Sequence, residues 1–106
     1  MHPTLLPEGR GRGPIPWTII KGLKQSGVTA FELRGEPDTG DIFAVRAYEI
    51  TPFETASTLY QKARIAHVEL MQNIVADIQL GRLKGKPQDE GNATYWPVRR
   101  PEDGLI

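Results

Sequence analysis

The sequence predicts an α/β fold: a short helix, an antiparallel strand pair, a long amphipathic helix and an extended tail. Three observations carry that expectation. Thr51-Pro52-Phe53-Glu54 is a helix-start signature followed by apolar residues three and four apart as far as Ile78. Two runs with strand-like patterning, 28–33 and 42–50, flank a segment of turn-forming residues. Pro14 and Pro16 stand where a helix opens, because a first-turn residue needs no N–H partner.

Taken in order, residues 1–14 are rich in Pro and Gly and read as an irregular loop. The short helix spans about 15–23, presents Trp17, Ile20 and Leu23, and has Gly27 as its stop signal. In the first strand Thr29, Phe31 and Leu33 share a face; in the second Phe43, Val45 and Ala47 do. Between them 35–40 carries turn chemistry, with Asp38 bonding to backbone and Gly40 relieving a strained dihedral. The long helix buries a stripe of Leu59, Ala63, Ala66, Leu70, Ile74 and Ile78, widened by Val68, Met71 and Val75, and reaches Leu80 before Gly81. Residues 84–91 form a polar loop, 93–96 a short strand, and 97–106 an extended polar tail.

At 106 residues the chain is one small domain or a piece of a larger one. Thirteen basic residues balance thirteen acidic ones, which disfavours a general nucleic-acid binder held by phosphate neutralisation. The absence of cysteine excludes disulfides, Cys-rich zinc sites and thiol nucleophiles. Two distant histidines do not make a metal site, so none is expected. No basic-then-apolar leader opens the sequence and no apolar run has membrane-spanning length, so a soluble cytoplasmic protein is expected.

Each candidate site residue has an ordinary reading beside a functional one. His2 is either a solvated terminal residue or an imidazole with a task, and Asp38 is either a turn stabiliser or a carboxylate partner. Gly9-Arg10-Gly11-Arg12-Gly13 lacks the preceding strand and the spacing of a dinucleotide loop. Arg10 and Arg12 are candidates for meeting an anionic substrate, with a flexible solvated loop as the alternative. Arg99 and Arg100 read as surface charges, and His67 as a boundary residue of the long helix.

Order and spacing turn isolated residues into a pattern. His2-Pro3-Thr4-Leu5-Leu6-Pro7, Arg10-Gly11-x-x-Pro14, Ser26-Gly27-Val28-Thr29 and Asp38-Thr39-Gly40-Asp41-Ile42 occur as one collinear series. That series resembles the C-terminal half of the catalytic domain of the 10-formyltetrahydrofolate-dependent formyltransferases, over nearly the whole chain. Arg10-Gly11-Arg12-Gly13-Pro14 with Trp17, and Asn92-Ala93-Thr94-Tyr95-Trp96 followed by Arg99-Arg100-Pro101-Glu102-Asp103, look closest to the sugar-nucleotide N-formyltransferases. Methionyl-tRNA formyltransferase is the next match.

The resemblance implies a partial Rossmann-like domain: 1–14 an active-site loop, 15–50 helix and strand pair, 51–81 the long helix, 82–106 loop and tail. It implies attack of a substrate amine on the formyl carbon of 10-formyltetrahydrofolate, with preorganised donors stabilising the developing oxyanion. His2 matches the family's catalytic His, and Asp38 the Asp that orients it and helps remove the amine proton. The family's Asn two residues before the His falls outside this sequence, so the chain is expected to hold only part of the machinery. Uncovered apolar side chains at about 1.5–3 kcal/mol each would approach a whole domain's stability, which predicts a homo-oligomer, a separate N-terminal half as partner, or a rearrangement around the long helix. The alternative is a non-catalytic truncated relative that associates through its long helix.

Overall fold

The computed structural model describes residues 1–98 and Arg100. Its elements are β1 (Arg10–Gly11), α1 (Pro14–Ile20), β2 (Gln25–Phe31), β3 (Ile42–Glu49), α2 (Ala56–Gln79), a 3-10 turn (Glu90–Asn92) and β4 (Tyr95–Trp96). The α/β class, both helices and the antiparallel pair are present as expected. Arg99, the Pro101-Glu102-Asp103 run and most of the expected tail lie outside the described residues.

β2 is the middle of the layer. One edge pairs antiparallel with β3, from Gln25↔Glu49 to Phe31↔Ile42, with an irregularity between Ala30 and Phe31. Its other edge pairs with His2, whose N–H donates to Thr29 O at 2.9 Å while Thr29 N–H donates to His2 O at 2.8 Å. Beyond β3, Ile42 and Lys86 exchange backbone bonds of 2.7 and 2.8 Å. β1 and β4 pair in parallel, Arg10 opposite Tyr95 and Gly11 opposite Trp96. The first fourteen residues are therefore not all irregular: they supply two pairing segments.

Ser26 to Ala30 are buried without alternation, because β2 is covered on both faces. Val28 and Ala30 face α2 and join Ile15, Leu59, Ala63, Ala66, Leu70 and Ile74 in one core, with Ala44, Tyr48 and Ile50 packed against it. Burial pushes the Tyr48 phenol above its ordinary range. Gly27 and Thr29 face the N-terminal segment, and a Cβ on Gly27 would stand 2.6 Å from Leu5 Cδ2.

Several sequence expectations are corrected. Phe43, Val45 and Ala47 do share one face of β3, and it is the one turned away from α2, since Ala44 and Tyr48 pack against the core and Arg46 pairs with Glu69. Leu33 lies beyond the strand and is exposed. α1 stops at Ile20 because Gly22, at φ 65°, takes the left-handed position of a helix end. Gly22 N–H bonds to Ile19 O and Leu23 N–H to Thr18 O. Gly27 is thus no stop signal but an interior residue of β2. α2 opens at Thr55, where Thr55 and Thr58 cap each other's backbone N–H, four residues after the expected start. Its buried stripe is Leu59, Ala63, Ala66, Leu70 and Ile74, while Val68, Met71, Val75 and Ile78 stay exposed. None of the described helices is long and apolar enough to cross a membrane.

Candidate active site

The Pro-rich N-terminal segment is held down by one side chain. Thr29 Oγ1 donates to Thr4 O at 2.7 Å and accepts from Leu6 N–H at 3.1 Å, all of it buried. Together with the His2–Thr29 backbone pair this fixes His2 at the sheet edge, where it is 8% exposed.

The Asp38 turn follows the C-terminal end of β2, the end near which His2 pairs with Thr29. It is closed by Glu32 N–H donating to Asp41 O at 2.9 Å. The residue in the left-handed region is Asp38 itself, at φ 60°, a conformation that Asp tolerates better than most residues. Gly40 does not relieve a dihedral there; it makes room, because a Cβ on it would fall 1.7 Å from Glu32 O.

Sequence-distant in the chain, His2 and Asp38 meet in the fold: His2 Nδ1 stands 3.5 Å from Asp38 Oδ1, with side chains 10% and 15% exposed. His2 Nε2 lies 2.8 Å from Gly9 O. A carbonyl oxygen only accepts, so Nε2 carries hydrogen, and Nδ1 is left to face the carboxylate. Asp38 Oδ2 accepts from Gly11 N–H at 3.0 Å. The carboxylate is thereby anchored through one oxygen and presents the other to the imidazole. Such a pair can hold an imidazole in one orientation and supply or accept a proton at a ring nitrogen.

The two arginines part company. Arg12 is exposed, as a ligand-facing residue should be. Arg10 is turned inward, contrary to the expectation that it meets an anionic substrate. It is 1% exposed, and its guanidinium bonds to Gln88 Oε1, both Glu90 carboxylate oxygens and Tyr95 Oη. All five N–H donors are used within the chain, which leaves none for a ligand. The Glu90 contact holds the guanidinium pKa above its ordinary value and the Glu90 carboxyl below its own. Gly11 of this loop makes room for the tail, since a Cβ on it would stand 2.4 Å from Trp96 O. His67 remains at the helix boundary, its Nδ1 3.3 Å from Ala63 O.

Two residues with roles here escape sequence reasoning. Thr29 belongs to the collinear pattern through Ser26-Gly27-Val28-Thr29, but nothing local gives its hydroxyl this double role, and Gln88 reads as one polar residue of a polar loop.

A family profile described as formyl transferase matches residues 1–75. Among solved structures, HypX from Aquifex aeolicus, in complex with tetrahydrofolic acid, is similar with 28% identity and a TM-score of 0.87, over 96% of this chain and 18% of that one. Methionyl-tRNA formyltransferase from Clostridium thermocellum is similar with 31% identity and a TM-score of 0.73, over 95% of this chain and 42% of that one. The formyltransferase PseJ from Anoxybacillus kamchatkensis, in complex with a UDP-linked formamido sugar and tetrahydrofolate, shows 27% identity and a TM-score of 0.76, over 92% of this chain and 50% of that one. This chain thus spans between about a fifth and a half of the proteins it matches. With the profile covering 1–75 of 106 residues, and the same architecture in these neighbours, the chain belongs to the formyl transferase family.

Proposed function

We propose that this chain carries the imidazole–carboxylate half of a site that moves a formyl group from 10-formyltetrahydrofolate to a substrate amine. The observation that carries the reading is His2 Nδ1 within 3.5 Å of Asp38 Oδ1, on the two segments that the family pattern singles out. Bound folate would supply the formyl group as a carbonyl activated toward amines. The chain's own residues would act around it. His2, positioned beside Asp38 by the Thr29-held segment, would have to turn its Nε2–H from Gly9 O to the carbonyl oxygen as charge develops there. Asp38 draws off the proton that the attacking amine must lose. The remaining donor, the Asn of the family pattern, has to come from outside these residues.

The amine of a sugar nucleotide is the acceptor this reading favours, supported by the likeness of the Arg10-to-Trp17 and Asn92-to-Trp96 segments and by the sugar-bound neighbour PseJ. Arg12, which is exposed, is the residue this reading assigns to its phosphates. The partner is the remainder of a formyltransferase domain, seated against the open sheet edge at His2 and the exposed apolar side of α2. A cytoplasmic location goes with this chemistry.

The test is formyl transfer from 10-formyltetrahydrofolate to a UDP-4-amino sugar, with methionyl-tRNA as rival acceptor, by the chain supplied with that remainder. His2→Ala and Asp38→Asn should each lower the rate about 100-fold or more. Unchanged rates in both variants would remove these residues from the chemistry. A second reading, a non-catalytic relative that acts by association, is favoured by Nε2 of His2 being already bonded to Gly9 O. Titration calorimetry separates the two, because that reading requires no folate binding in the complemented form.

A further inference from the structure

Gln88 sits at the centre of a buried polar chain that links the tail to the candidate site. It is 9% exposed. Its Nε2 donates to Asp38 O at 2.9 Å and to Gly40 O at 2.7 Å. Its Oε1 accepts from Arg10 Nε at 3.2 Å and Nη2 at 2.7 Å. Both amide hydrogens and both oxygen lone pairs are therefore used. The orientation of the amide follows from its neighbours: carbonyls can only accept and a guanidinium can only donate, so the flipped amide would face repulsion at both ends.

We propose that Gln88 is a positioning residue for the His2–Asp38 pair, with its amide nitrogen setting the Asp38 turn and its amide oxygen tying that turn to Arg10. Asp38 holds a left-handed backbone, a conformation that persists where the surroundings over-determine it. Those surroundings are on two sides. Gln88 grips the main chain on either side of Thr39, and Gly11 N–H grips the carboxylate. Arg10 and Gly11 are consecutive and both belong to β1, which pairs with β4. Docking of β4, insertion of Gln88 and the aim of the Asp38 carboxylate at His2 are thus one mechanical unit. The inference deepens the formyl-transfer reading and rests on it for its catalytic meaning, while the coupling itself is readable in the chain without any substrate.

Gln88→Glu separates the two ends of the side chain. A glutamate keeps the acceptor for Arg10 and loses both donors to the turn. Imidazole ¹⁵N signals of His2, the Gly11 amide signal and the Trp96 indole signal are compared with wild type and with Asp38→Asn. In Gln88→Glu the His2 and Gly11 signals should move toward those of Asp38→Asn, with the Trp96 signal unchanged. In the complemented enzyme kcat should fall about tenfold with KM unchanged. Unmoved His2 and Gly11 signals overturn the proposal. Gln88→Asn, too short to span Arg10 and the turn, is the second variant. If both variants also displace Trp96, Gln88 is only part of the tail's packing and the proposal fails. Moved signals in a wild-type protein that transfers no formyl group would sink the functional reading and leave the coupling standing. Transfer by wild type that Gln88→Glu leaves at full rate would do the reverse.

Discussion

Thr29 is where one hydroxyl determines whether the N-terminal segment lies in place. Fully buried, it serves Thr4 O and Leu6 N–H at once. Thr29→Val keeps the shape and leaves two buried backbone groups unpaired, at about 1–3 kcal/mol each. We expect a loss of about 2–4 kcal/mol in urea unfolding, with Thr29→Ser near wild type. A loss below about 1 kcal/mol would mean that water or backbone shift replaces the hydroxyl. Legibility at this scale was uneven. His2 and Asp38 stand out because their flanking residues form a collinear pattern. Arg10 misled because a Gly-flanked arginine looks exposed, and its burial depends on Gln88 and Glu90, residues far away in sequence. No local signal announces such tertiary partners.

At the scale of elements, α2 was the clearest feature, since its apolar period survives any error at its ends. Thr51-Pro52 carries the residue types of a cap, while the reciprocal bonds form at Thr55 and Thr58, which is why the start of α2 is not legible in the sequence. The difference is measurable: Thr55→Ala should cost about 1 kcal/mol in thermal unfolding, and Thr51→Ala almost nothing. Glu54 joins this helix start, accepting from Thr58 and pairing with Lys62, a contact that lowers its pKa. The faces of β3 were unreadable, since apolar residues occur on both sides of the strand and only α2 selects one. The β1–β4 clasp has its own pH dependence. Arg10 lowers the folded-state pKa of Glu90, so its stabilisation is present at neutral pH and is lost as pH falls through that lowered value. The Trp96 indole signal should report the clasp loosening on acidification below the usual glutamate range. Glu90→Gln should abolish that transition, and an identical acid profile in the variant would assign the loosening to another group.

At the scale of the whole molecule, the surface argues for a covering partner. α2 is 24 residues, about 36 Å long, and only one stripe of it is packed. The radius of gyration, 14.3 Å, exceeds the roughly 13 Å of a compact domain of about 100 residues. Tyr60, Val68, Met71, Val75 and Ile78 lie along a second side of α2 and are each 45–57% exposed. A groove of about 530 Å³ runs between that side and the sheet edge, lined by Pro3, Ile15, Tyr60, Ala63, His67 and Val68. An apolar side beside an unpaired sheet edge is what an interior position of a larger α/β layer presents. Replacing Met71 and Val75 together by Glu should abolish binding of the rest of the domain in sedimentation velocity, with helix content retained. Ile65→Glu, exposed on a different side of the same helix, should bind as wild type does. Should the chain form only a homodimer that the added segment cannot displace, the occupant is a second copy. Should the double variant bind unchanged, this side of α2 is not the contact.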